Sequence, residues 1–513
     1  MKDARLRFAL IALAYASIGA VLAALLGTWT DEEYTLATTA HGIPYAIERA
    51  LNYELQAPLY FAVLAAWRSL DGSVWFARLF SVLCATAFLL VIARIGRRIA
   101  PKTDPLPFAL LAALNPFVVY AAFDIRLYAL ALLLSAMLWL AFDAGFARGA
   151  NTRARIAFVL LAIAAIYVQY FLGFMLIGFG CALLVLRRRR SLGAYLAYCT
   201  IVALAVLPLA LEAKHQAGAY QAAAPPLLGL LRAALVHPWL DFVLPYDHVW
   251  DAVPYARLLY GLIVVATVAL LVAGRPVLTR ATIALLASAV AIELVYVALS
   301  AAVRLPLQPL YFVALYVPLA SALYAAVNDF APGRRAPAVA LFAIIATLSA
   351  AVLAAEYRHL AQPGDWKRVA AYLEENARPN DAVAVFPPDG LPALLRAYRD
   401  VPPAVPYPHA ESNDVYSVAS VSVRSASDAL AGFEQLSAHH VIWFVMPPCD
   451  ANDPQYGCRY VQSTLAAHFQ LLSQRAFYEN DVYELSALVA PTRSTESARK
   501  TRAQPGGNVA PPR

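Results

Sequence analysis

The chain has 513 residues, of which 61% are hydrophobic and only 14% charged, with a mean hydropathy of +0.60. So little charge excludes an ordinary soluble globular protein, and apolar runs approaching the ~20 residues needed to cross a bilayer indicate a polytopic helical membrane protein. The net charge of +7 is spread over short stretches between apolar runs, which argues for cytoplasmic loops and against a nucleic-acid surface.

The first run, Leu6 to Leu26, is longer than the roughly 7–15-residue apolar core of a cleavable signal and has no small-residue cleavage site before Trp29, so it reads as a span. The basic stretches are "KDARLR" at the start, "RIGRRIAPK" at 94–102, "RGANTRAR" at 148–155, "RRRR" at 187–190, "RPVLTR" at 275–280 and "GRR" at 333–335. Placing them in the cytoplasm yields about eleven spans: 6–28, 75–97, 105–122, 129–147, 156–170, 171–186, 192–211, 254–274, 281–303, 309–327 and 336–355. The N-terminus is then cytoplasmic and the C-terminus outside. The run 57–70, "APLYFAVLAAWRSL", is too short to cross and reads as a helix in the outer interface anchored by Tyr60, Trp67 and Trp75. A second surface-lying helix is expected within the outer loop 213–253.

From about Glu356 the composition becomes that of a soluble domain. "DWKRVAAYLEEN" places Trp366, Val369, Ala370 and Leu373 on one helical face, and "AVAVF" is a short strand. "SASDALAGFEQLSAHHVIWFVMPP" repeats the helix-then-strand order, "VQSTLAAHFQLLSQ" reads as a helix, and a terminal hairpin is expected around Glu479–Asp481. Helices alternating with strands argue a small α/β domain over 356–490, followed by a disordered basic tail at 491–513. Cys84, Cys181 and Cys199 fall in apolar spans, whereas Cys449 and Cys458 flank a polar loop and are a disulfide candidate in an oxidising compartment.

Two constellations carry chemistry. In "TWTDEEYTL", Asp31, Glu32 and Glu33 follow the first span directly. They are either the wet end of a helix or a boundary site where a partly desolvated carboxylate acts as a general base; Glu33 is expected to face water. In "FDIRLY", Asp124 and Arg126 lie between two apolar runs. Arg126 could hold a phosphate bidentately, or Asp124 and Arg126 could simply tie the hairpin. Glu293 within a span is either a bundle partner or a cavity residue. His237, Asp241, Asp247, His248 and Asp251 match no zinc spacing and read as a solvated loop. Tyr167, Gln169 and Tyr170 read as interfacial aromatic anchoring, with a sugar site as the sharper alternative.

In their order, the first span, Asp31-Glu32, the "PLYF…W" helix from Pro58 to Trp67, "ARLFS" from Ala77 to Ser81, Asp124-x-Arg126-x-Tyr128 and "PLYFVALYVP" from Pro309 to Pro318 resemble C-type glycosyltransferases. The likeness is to family 39 and its bacterial relatives: protein O-mannosyltransferases, lipid A aminoarabinose transferases and lipopolysaccharide sugar transferases. The resemblance implies an enzyme in the bacterial inner membrane with a periplasmic active site and C-terminal domain. Such an enzyme moves a sugar from a polyprenyl-phosphate carrier to the hydroxyl of a cell-envelope acceptor, with inversion. Asp31 would be the base, supported by Glu32, and Arg126 and Arg304 would bind the donor phosphate. Asp124, Tyr128, Glu54, Gln56 and Tyr311 would support the site or touch substrate. No metal cofactor is expected, since no Asp-x-Asp occurs. Two positions depart from the family's pattern: Gln56-Ala57-Pro58 where His or Glu with a second Pro is frequent, and Leu310 where Arg often precedes the Tyr. Rival readings are a lipid or sugar transporter or flippase, for which no internal repeat is found, and an inactive relative acting as an assembly partner.

Overall fold

The computed structural model describes residues 2–219, 226–246, 254–303, 308–331, 333–358, 360, 362–410, 421–434, 436, 439–449 and 456–487. Sixteen helices form the N-terminal part: α1 (Lys2–Leu25), α2 (Thr30–Thr38), α3 (Ile43–Asn52), α4 (Leu59–Arg68), α5 (Val74–Ile99), α6 (Leu106–Leu114), α7 (Pro116–Phe123) and α8 (Tyr128–Phe142), then α9 (Thr152–Val168), α10 (Phe174–Val185), α11 (Arg189–Ala219), α12 (Leu227–Phe242), α13 (Ala256–Gly274), α14 (Arg280–Val303), α15 (Val313–Asn328) and α16 (Arg335–Glu356). Among the described residues, eight helical segments are long and apolar enough to cross a membrane. A ninth arises if α6 and α7, bent by 63° at Asn115, count as one span. Pro116 lacks an N–H and forces the residue before it out of helical geometry, which explains the bend. The runs expected to cross at 156–170 and 171–186 form α9 and a 3-10 turn leading into α10, separated at Gln169, which is extended; neither is among the eight.

Side chains such as Leu10, Leu13 and Val21 on α1 and Leu262, Val265 and Val272 on α13 are exposed on the bundle's flank, as hydrocarbon-facing positions are. Inside, helices approach through small residues: a Cβ on Gly178 of α10 would run into Ser288 and Ile292 of α14, the close contact that glycine permits between packed membrane helices.

The expected interfacial helix is α4, but its assigned anchors are not all at a surface. Tyr60 and Phe61 are buried in the main core. Trp67 stacks on Phe76 with ring centroids 4.6 Å apart and donates its indole N–H to the Phe76 carbonyl. Of the three, Trp75 is exposed, its indole donating to the Ala20 carbonyl. The length of the run ruled out a span, but the packing of α3, α5 and α9 around it decided which face is covered.

The C-terminal domain is a five-stranded sheet in the order β2-β1-β3-β5-β4, with β1 (Ala382–Val385), β2 (Ala404–Pro406), β3 (Val441–Met446), β4 (Phe469–Ala476) and β5 (Asp481–Ala487). Parallel pairing of β1 with β2 and β3 gives way to antiparallel pairing of β5 with β3 and β4. Helix α17 (Trp366–Asn376) covers one face through Trp366, Val369, Ala370 and Leu373, as the period predicts, and meets Val383, Val385, Trp443 and Val445. Helices α19 (Ala426–Glu434) and α20 (Cys458–His468) cover the other face, against Ala382, Ala384, Ile442 and Phe444; α18 (Leu391–Leu395) sits between β1 and β2. With both faces covered, β1 and β3 read as unbroken apolar runs. The terminal hairpin is present, but "FQLLSQ", expected as helix, is strand β4. It pairs with β5, and most of its residues are exposed, so its helix-like apolar spacing marks no buried face.

Candidate active site

Consecutive residues on a helix point about 100° apart, and this decides the fate of the acidic triplet. Asp31, Glu32 and Glu33 all lie in the first turn of α2, where the helix dipole favours negative charge. They diverge in three directions. Asp31 reaches a cavity and keeps its carboxylate 40% exposed. Glu32 is completely buried and ion-paired with Arg78 of α5 at 2.6 Å. Glu33 is also buried and accepts two hydrogen bonds from Arg396 of the C-terminal domain, at 2.6 and 2.5 Å.

Two expectations change here. Glu33 does not face water but anchors the C-terminal domain, assisted by Lys367 donating to the Leu25 carbonyl at 2.8 Å. Glu32 does not reach the cavity, so a supporting role at the reacting centre does not fit its environment. It accepts from Arg78 Nε at 3.0 Å and from the Ile125 and Trp29 backbone N–H groups at 3.0 and 3.4 Å. Arg78 also donates to the carbonyls of Ala23, Leu26 and Gly27 at the end of α1. This buried pair fastens α1, α2, α5 and the Asp124–Tyr128 turn to one another. Arg78, within "ARLFS", has no role assignable from sequence; its signal is a charge in the N-terminal half of an apolar span whose other arginines, Arg94, Arg97 and Arg98, cluster at the opposite end.

The cavity, about 420 Å³, gathers Asp31, Glu54, Gln56, Arg126, Tyr128 and Tyr311 from chain segments nearly 300 residues apart. Gln169 and Tyr170, read as interfacial, also line it, whereas Tyr167 donates instead to the Ala205 carbonyl. Arg126 lies between two acids: its guanidinium is 3.6 Å from Asp31 and 3.3 Å from Glu54, and it donates to Thr35 Oγ1 at 3.0 Å. Thr38 Oγ1 donates to Glu54 at 2.8 Å. Burial pushes the Glu54 carboxyl above its ordinary range, against the pull of Arg126. Asp124 is fully buried behind this group, does not line the cavity and accepts from the Trp29 indole at 3.1 Å. Burial and the nearby Glu32 charge push Asp124 well above the usual carboxylate range.

The polar remainder of the lining is aromatic and amide, beside the aliphatic Leu55, Ala57 and Ala213. Trp29, Tyr34, Tyr53, Gln216, Gln308 and Tyr456 were not singled out in the sequence. Tyr170 donates to Gln216, which in turn donates to the Leu51 carbonyl. Tyr34 and Tyr53 meet edge to face at 5.8 Å. Tyr456 comes from the C-terminal domain. Its carbonyl accepts from Val423, and next to it Gly457 holds φ +71°, where a Cβ would strike the Val423 carbonyl. Cys458 follows, in a disulfide with Cys449 (Cα–Cα 5.8 Å). Leu310 lines the cavity as well, and Arg304 lies outside the described residues.

Other candidates lie elsewhere. Glu293 accepts a hydrogen bond from Trp239 and is a bundle partner. His237 and Asp241 sit one turn apart on α12, 4.0 Å from each other, while Asp247, His248 and Asp251 lie outside the described residues. Among the described residues no cluster of His, Cys, Asp and Glu could hold a metal ion. An exposed carboxylate, a buried cation beside it and a wall of aromatic and amide groups can bind a polyhydroxylated substrate and take a proton from a hydroxyl. The sequence matches no family model and no curated protein.

Proposed function

We propose that the chain is an integral-membrane glycosyltransferase of C-type architecture, with eleven spans, a cytoplasmic N-terminus and a periplasmic C-terminal domain in a bacterial inner membrane. It moves a sugar from a polyprenyl-phosphate carrier to an acceptor hydroxyl, inverting the anomeric centre. The observation that carries this reading is the position of Asp31: of the three adjacent acids, it alone lines the cavity, beside Arg126.

Asp31 takes the acceptor proton as the hydroxyl oxygen attacks the anomeric carbon, and the bond to the carrier phosphate breaks with its electrons going to that phosphate. Arg126 orients Asp31 and Glu54 and supplies positive charge near the leaving group. Aromatic rings and Gln side chains hold the sugar through stacking and hydrogen bonds. No metal is required in this scheme.

Membranes carrying wild-type or Asp31→Asn protein, incubated with labelled polyprenyl-phosphate sugars, test it by the release of label from the carrier. The substitution removes the base and leaves the fold, so turnover is expected to fall by at least about 10²-fold. Equal turnover by the two proteins eliminates Asp31 as the base. Absence of turnover with every donor favours an inactive relative.

A further inference from the structure

A second and larger cavity, about 930 Å³, lies between α6, α15 and α16, at the end of the bundle away from the C-terminal domain. Its mouth is formed by two loops far apart in the chain. Lys102 comes from the α5–α6 loop, and Arg334 and Arg335 from the junction of α15 and α16. All three cations are exposed. The one carboxylate lining this mouth, Asp104, accepts from the Leu106 N–H at the start of α6 and so already serves that helix. From the mouth the groove becomes largely apolar and ends against Phe242 and Tyr316, which are buried, with Asn115 the polar residue at that end, its amide donating to the Phe242 carbonyl at 3.2 Å. Its α16 flank at Val339 is two-thirds exposed, so the groove opens toward the hydrocarbon.

A basic loop that only sets topology needs no cavity beneath it. Here cations from separate loops converge over a lipid-accessible apolar slot, the complement of one anionic head group with a hydrocarbon tail. We propose that this groove holds an anionic glycerophospholipid, with its phosphate at Lys102, Arg334 and Arg335 and an acyl chain running to Phe242 and Tyr316. The site is separate from the sugar-transfer cavity and independent of that reading.

Native mass spectrometry of the purified full chain, with equal amounts of phosphatidylglycerol and phosphatidylcholine, tests it without any sugar donor. The wild-type protein is expected to retain one phosphatidylglycerol in preference to phosphatidylcholine by more than about tenfold. Lys102→Gln/Arg334→Gln/Arg335→Gln should erase the preference, and Ala338→Trp, which fills the slot, should reduce retention of both lipids. Equal retention of the two lipids by the wild-type protein overturns the proposal whatever the variants do. So does an undiminished preference in the triple variant, or complete displacement of phosphatidylglycerol by equimolar polyprenyl phosphate, which would assign the groove to the carrier.

Discussion

Replacing Arg78 by Met isolates the most consequential contact in the site's scaffold. Both Arg78 and Glu32 have side chains with no solvent exposure. In Arg78→Met the Glu32 carboxylate keeps the Ile125 N–H at 3.0 Å and the Trp29 N–H at 3.4 Å but loses its counter-charge, and the carbonyls of Ala23 and Leu26 lose a donor. Breaking a buried pair from one side costs about 3–5 kcal/mol, because the remaining charge is stranded. At about 2 °C per kcal/mol for a large chain, the melting temperature should fall by roughly 6–10 °C. Glu32→Gln/Arg78→Met removes both charges and should lose less than the two single variants together. Fluorescence-detected size exclusion after heating, in one detergent, reads all four proteins. An Arg78→Met midpoint within about 2 °C of wild type would refute the claim that this pair fastens α1, α2 and α5 together. Because Ile125 precedes Arg126, the sugar-donor turnover proposed above should fall with stability in this variant.

Arg396→Ala leaves Glu33 buried without its two donors. Arg396 is half exposed, so the loss should be modest, about 1–2 kcal/mol, read as faster hydrogen exchange across α17 and α18 while exchange in α5 and α8 is unchanged; uniform exchange rates would show that the clamp does not dock the domain. Asp241, 22% exposed on α12, is pushed by burial to about 7. Between its ordinary value of about 3.9 and about 7, the folded state holds a proton that the unfolded state releases, so its contribution is full at low pH and is lost as pH rises through 7. The melting temperature should therefore decline from pH 5 to pH 8, and Asp241→Asn should flatten that decline; an unchanged slope removes Asp241 as its source.

Much of the architecture follows from local rules that the sequence carries openly. Runs of about twenty apolar residues specify spans whatever their neighbours, because an unsatisfied backbone in lipid is so costly; the bend at Asn115–Pro116 inside the run 105–122, expected as one span, came only with the structure. The alternation of helix and strand after Glu356, the buried face of α17 and the terminal hairpin were equally legible, since each depends on periodicity and turn chemistry within a few residues. The site was legible in part: Asp31, Arg126, Glu54, Gln56, Tyr128 and Tyr311 were selected from separate segments and do line one cavity.

Only the tertiary structure could sort the acids. Three neighbours of nearly the same chemistry at 31–33 are indistinguishable in sequence, and the turn of α2 sends one to the cavity, one to Arg78 and one to Arg396. Their partners lie 46 and 363 residues away, beyond any local signal. The same holds for Tyr456, which reaches the cavity from the far end of the chain, and for Tyr60, whose burial depends on helices packed around it. Apolar runs and polar turns determine where the chain crosses and bends. Which carboxylate lines the cavity depends on which cations the fold brings to the other two and on Arg126 lying beside the third.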